Sequence, residues 1–113
     1  MGYIRHDAIL VTHWNEDFVV ESHEKAIQLG LPCSNIVESI INGYTSFLIA
    51  PDGSKEGWPD SSEGDIARNL WIEWAQEKLK EREYFVDWVH ISYGGDEPEY
   101  TKIVKHNKHI EDQ

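Results

Sequence analysis

The fold class this chain of 113 residues predicts is α+β, a ferredoxin-like split βαβ sheet, and three observations predict it. An Asn42-Gly43 pair separates two β-prone runs, which calls for a two-residue hairpin because both turn positions need positive φ. Two stretches with apolar residues at helical spacing, one on each side of that hairpin, are the candidate crossover helices. The first apolar run, Ala8-Ile9-Leu10-Val11, is continuous rather than alternating, as in a strand buried on both faces at the centre of a sheet. Together they give the order β-α-β-β-α-β, with an extra C-terminal strand extending the sheet and both helices on one face. That arrangement leaves the other face partly open to a ligand or to a second copy of the chain.

Each element has its own local justification. After the first strand, Asn15 is an N-cap candidate with Glu16 and Asp17 in the first helical turn. Val19, Val20, His23, Ala26 and Ile27 then share one face. Gly30 sits where a C-terminal cap belongs, and Pro32 follows it. Ile36-Val37-Glu38-Ser39-Ile40-Ile41 and Tyr44-Thr45-Ser46-Phe47-Leu48-Ile49 flank the hairpin turn. A long polar loop follows over residues 50–65, and loops of that length in a compact domain have a function or lack order.

Ser62-Glu63-Gly64-Asp65 supplies a cap for the second helix, with Asp65 in the place of the capping-box acid. Ala67, Leu70, Trp71, Trp74, Ala75 and Leu79 form its apolar stripe. Residues 84–93 alternate as a strand, with Phe85, Val89 and Ile91 on one face and Val86, Trp88 and His90 on the other. Gly94-Gly95-Asp96-Glu97-Pro98 turns the chain. Residues 100–106 return as an edge strand, where Lys102 and Lys105 suit solvent. Residues 107–113 form a frayed tail. Residues 1–113 make a single domain, and no second one fits.

Charge and composition narrow the function classes. Twenty-one acidic against ten basic residues give a formal charge of −11, which argues against nucleic acid as a partner because phosphate binding needs a basic groove. It suits a cationic protein partner or plain solubility. Five Trp, five Tyr and three Phe are a heavy aromatic load that a small core or an interface would use. Cys33 stands alone, so neither an internal disulfide nor a thiolate cluster is available. No stretch reads as a signal peptide or a membrane span, so a cytoplasmic location is expected.

Four constellations carry chemistry, each beside a plainer reading. Arg5-His6-Asp7 puts a His next to a carboxylate, but neighbours in a strand face opposite ways, and Arg5 with Asp7 reads as an ion pair at the strand start. His6, His106 and His109 offer three imidazoles to a late first-row metal, against a mobile tail bearing lysines. His23 lies on an apolar helix face, as a satisfied core histidine would. In the loop, Asp52, Ser54, Lys55 and Trp58 resemble a phosphate or nucleotide cradle in composition: a carboxylate, a hydroxyl donor, a point charge and a stacking ring. The Gly-Lys-Ser/Thr order of a P-loop is missing, and the neighbouring acids oppose a free phosphate. Their spacing departs from an EF-hand, which argues against calcium. Cys33 has no activating neighbour in sequence. No residue is assigned to catalysis or to a metal, and no cofactor is expected.

The phrases Tyr3-Ile4-Arg5-His6-Asp7-Ala8-Ile9, Asn42-Gly43-Tyr44-Thr45-Ser46-Phe47 and Pro51-Asp52-Gly53-Ser54-Lys55-Glu56-Gly57-Trp58 resemble small uncharacterised proteins of bacteriophages and prophages. The resemblance spans most of the chain and brings no activity or functional residues. It implies a context in which small acidic proteins block a host protein or capture nucleotide messengers. The acidic charge, the aromatic load, the exposed final hairpin and the lack of a catalytic constellation make the first expectation a non-enzymatic interaction protein that binds a protein partner and pairs as a homodimer. The alternative is a binder of a nucleotide-like small molecule through Arg5, Asp52, Ser54, Lys55 and Trp58. A metal-dependent hydrolase built on His6, Asp7 and His106 is the third.

Overall fold

Five strands form one antiparallel sheet in the order β2-β3-β1-β4-β5. In this computed structural model, which describes residues 5–53, 59–95 and 98–108, the elements run β1 (Arg5–His13), α1 (Glu16–Gln28), β2 (Val37–Glu38), β3 (Thr45–Ile49), α2 (Pro59–Arg82), β4 (Asp87–Gly94) and β5 (Lys102–His106). A 3-10 turn at Pro98–Tyr100 precedes β5. The fold is α+β, with β1 in the middle of the sheet and β2 and β5 at its edges.

One apolar cluster joins the layers. Ile9 and Val11 of β1, Phe47 and Ile49 of β3 and Trp88 of β4 meet Val19 and Ala26 of α1 and Trp71, Ile72 and Ala75 of α2. Because these strand residues alternate, they share one face, and both helices cover it. Among the described residues Trp71 is the largest fully buried side chain, and its indole N–H donates to the Ser22 carbonyl of α1 at 3.1 Å. A buried indole thus keeps its hydrogen bond while locking one helix to the other. The Arg82 guanidinium adds a two-pronged pair to the Glu21 carboxylate at 2.8 and 3.0 Å, a geometry that fits the planar fork.

The ends of α1 follow the sequence closely. The Asn15 side chain accepts from the Asp17 N–H at 3.0 Å. At the other end Gly30 has φ +82°, its N–H bonds to the Ile27 carbonyl and that of Leu31 to Ala26. This is a Schellman closure, in which a left-handed residue turns the chain back on the last orphan carbonyls.

Several expectations are corrected. β1 is not buried on both faces: Ala8, Ile9 and Val11 are covered, but Leu10 is largely exposed on the side away from the helices. The hairpin forms without the two-residue turn. Glu38 pairs with Thr45, and the Ser39 N–H bonds to the Tyr44 carbonyl, so four residues, Ile40 to Gly43, make the loop. Asn42 and Gly43 still take positive φ of 69° and 67°. β2 is an exposed edge of two residues, and no buried face pins its register.

Helix α2 begins at Pro59 rather than at a cap within residues 62–65. Proline suits a first turn, where its missing N–H has no intrahelical partner anyway. The stripe of α2 is also turned: Ile72 is buried and Leu70 is exposed. Phe85 enters the main cluster with Val86 instead of the opposite face, because β4 starts only at Asp87.

Candidate functional site

Three elements continue past the apolar cluster with core-facing polar side chains. On β1 the alternation Val11, Ile9 leads to Asp7; on β4 Trp88 leads to His90 and Ser92; on α2 Arg68 lies one turn before Trp71 and Ile72. Asp7 stands opposite Ser92 in the β1–β4 register. A sheet and helix that bury apolar residues at one end therefore bury charge at the other. The result is a cleft of about 300 Å³, lined by Arg5, Asp7, Asp65, Arg68, His90, Ser92 and Lys102, with Asn69 and Val104 completing the wall.

Arg68 organises it. Only 4 % exposed, it hydrogen-bonds Asp65 one turn earlier in α2, and it stands 3.6 Å from Asp52 and 3.9 Å from Asp7. His90 Nε2 lies 3.3 Å from Asp7 Oδ1 and donates to it when Asp7 is ionised. Burial opposes the Asp7 charge, but the bond from His90 and the charges of Arg68, His90 and Arg5 outweigh it, so its pKa lies below the usual 3.8. A guanidinium buried among carboxylates satisfies its donors without water, which is how such a charge survives in a core.

The loop before α2 reaches this cluster through Gly64. A Cβ at Gly64 would run into the Asp52 carboxylate. The missing side chain therefore lets Asp52 approach the helix closely enough to face Arg68.

The Ser92 hydroxyl is 2 % exposed and has no hydrogen-bond partner. Native interiors satisfy nearly all buried hydroxyls, so such a group marks a place where a ligand atom or water is expected.

Of the residues expected to bind a ligand, Arg5 and Asp52 come to the same cluster. Arg5 lines the cleft, with its guanidinium 5.9 Å from the Tyr100 ring centre, and Asp52 faces Arg68. Ser54, Lys55 and Trp58 lie outside the described residues, as does His109. The trio His6, Asp7 and His106 does not converge. His6 packs its ring on Tyr93 at 5.2 Å on the open face, and Asp7 points to the helix side. His106 pairs with Val89 on the outer side of β4, two strands from β1 and three residues along from Ser92. Among the described residues, no three His, Cys, Asp or Glu are placed to hold a metal ion. His23 is satisfied by the Ser34 carbonyl at 2.9 Å and the edge of Phe47. Burial pushes the Cys33 thiol up, away from the reactive thiolate.

Arg68, His90, Ser92 and Lys102 were missed in sequence, although a signal was present. Arg68 precedes Trp71 and Ile72 by three and four residues, so a cation occupies a core-stripe position. His90 and Ser92 extend the Trp88 face by two and four residues. No family model, curated protein or solved structure matches the chain.

Proposed function

We propose that the chain is a non-enzymatic binding protein whose cleft holds a nucleotide-like small molecule, one carrying an anionic group together with hydrogen-bond donors. The partnerless Ser92 hydroxyl carries the proposal. Three cations, Arg5, Arg68 and Lys102, line the cleft against the carboxylates of Asp7 and Asp65, in a chain of net charge −11. Arg5, Arg68 and Lys102 would together set the positive field that meets the ligand's anionic group. The carboxylates would accept from ribose hydroxyls or an exocyclic amine, a division of labour common in pockets with few polar groups. A phage setting, in which such a protein withholds a messenger nucleotide from its host, accords with this chemistry.

Native mass spectrometry of gently purified protein tests it first. An added mass of a few hundred daltons, lost on denaturation, is expected. Titration calorimetry with nucleoside monophosphates and cyclic dinucleotides should then give heat that Arg5→Ala and Lys102→Ala each reduce by about tenfold in affinity, as loss of a charge-assisted bond would. Protein that carries no added mass and gives no heat with any of these nucleotides overturns the proposal.

The open sheet face favours a second reading, a protein partner or a homodimer. Val37, Leu10, Tyr93 and Ile103 leave apolar surface across β2, β1, β4 and β5, on the side away from the helices. Exposed apolar side chains on an uncovered sheet face offer a partner a place to dock. Light scattering should give a dimer mass that Leu10→Lys returns to the monomer. Support for classing the sheet as ferredoxin-like comes from the order β2-β3-β1-β4, in which each helix carries the chain across an intervening strand.

A further inference from the structure

About 20 Å along β1 from the cleft, at six residues of strand rise, a second cavity of about 600 Å³ opens beside His13. Its walls include Trp14, Tyr84 and Phe85, and Glu83, Asp87 and Lys108 stand among its polar residues. Trp14 is 53 % and Tyr84 47 % exposed. Their rings stack at 5.9 Å with planes 21° apart, and His13 lies beneath both. Tyr84 also packs on Phe18, yet both rings leave about half of their surface to solvent.

Glu83 is the second observation. It follows the last residue of α2 and has φ +70°, the left-handed region that glycine or asparagine normally fills. Its negative charge also sits at the carbonyl end of a helix, where the macrodipole disfavours an anion. Two local costs at one residue that lines a cavity point to a use outside stability. The aromatic cluster already accepts a cation on its other side: the Arg82 guanidinium lies 5.2 Å from the Phe18 ring centre and 5.4 Å from that of Phe85.

We propose that the Trp14–Tyr84 cavity is a receptor for a lysine or arginine side chain presented by a basic segment of a partner protein, with the rings taking its face and Glu83 and Asp87 its charge. Cation–π attraction selects the head group, and the two carboxylates select its sign. Asp87 is held in place by the Asn107 amide at 3.1 Å. Burial keeps His13 below its usual pKa against the pull of Asp87, so His13 adds no positive charge at neutral pH. Lys108 is the cation at the rim, and the incoming side chain must displace it. The overall charge of −11 steers a basic segment toward the chain. The site is independent of the Arg68 cleft.

The test titrates the full chain with a lysine- and arginine-rich nonapeptide at about 150 mM salt, where distant charges are largely screened, following the backbone amides around the cavity by NMR. Trp14→Ala and Tyr84→Leu leave the net charge untouched, yet each should weaken binding about tenfold if the rings carry it. Glu83→Gly should weaken binding while raising Tm, a pairing that a merely structural residue would not give. Glu38→Gln, on the exposed edge strand β2, should change nothing. A peptide with citrulline and norleucine in place of its basic residues should not bind. Equal affinity of wild type, Trp14→Ala and Tyr84→Leu, each with its fold verified by circular dichroism, would overturn the proposal and leave only non-specific charge attraction. Binding of the neutral peptide as tightly as the basic one would overturn it in favour of an apolar ligand.

Discussion

Single residues carry the clearest departures from a sequence optimised for stability. Ser92 buries a hydroxyl with no partner, and leaving such a group unmade costs about 1–3 kcal/mol. Ser92→Ala should therefore stabilise the ligand-free protein, by about 1 kcal/mol once the smaller volume is counted, as read from urea unfolding. A loss of stability would mean that the hydroxyl serves the fold. Glu83 holds positive φ at the end of α2. Glu83→Gly removes both the backbone strain and an anion at a helix C-terminus, and a gain of roughly 1 kcal/mol is expected by the same measurement. At both positions an ordinary replacement is predicted to improve the fold.

At the scale of elements, stability concentrates in α1, α2, β1, β3 and β4, which meet in the central cluster. The β2–β3 hairpin stands apart. Ile40 at its tip is as exposed as in an extended chain, and Ile41 beside it is mostly exposed. Ile40→Ser should change the unfolding free energy by less than about 0.5 kcal/mol, as surface changes do. If Tm falls by several degrees, the tip packs against something, and a second copy would be the first candidate. Hairpin geometry also explains an error of sequence reading. Asn42-Gly43 correctly marks positive φ, but register depends on which residues are buried, and β2 buries none. The start of α2 failed for a different reason. A capping box and a proline start compete locally, and residues 62–65 satisfy the first pattern while the chain uses the second.

For the whole molecule, acid should act in two steps. His13 Nδ1 accepts the Asn15 N–H at 3.1 Å, a bond that protonation of that nitrogen destroys. Burial holds its pKa below the usual 6.5 against the raising effect of Asp87. The unfolded chain therefore takes up the proton first, so the stabilisation is complete above about pH 6.5 and is lost as pH falls below it. Asp7 is likewise lowered, from 3.8; its contribution is present above that pH and is lost as pH falls through the folded value. Tm measured from pH 8 to 3 should fall first below about 6.5 and again below about 4. His13→Gln should flatten the upper step and Asp7→Asn the lower. A profile flat from pH 7 to 5 in the wild type would contradict the role given to His13.

Local chemistry alone determined much of this protein: the Asn15 cap, the Gly30 closure, the class of each main helix and strand and the α+β class. These depend on hydrogen bonds and periodicities that span a few residues, and a sequence states them directly. Partners distant in sequence were decided only by the tertiary structure. Asp7 meets His90 across 83 positions and Arg68 across two layers, and Gly64 matters only because Asp52 passes over it. Arg5 and Asp52 were legible as polar residues of interest, but the cluster they come to is built around Arg68, to which the sequence reading gave no role. Charge, unlike apolar spacing, has no period that tells a buried ion from a solvated one. The difference lies in which elements fold over it, and only the packing of α2 on β1 and β4 supplies that.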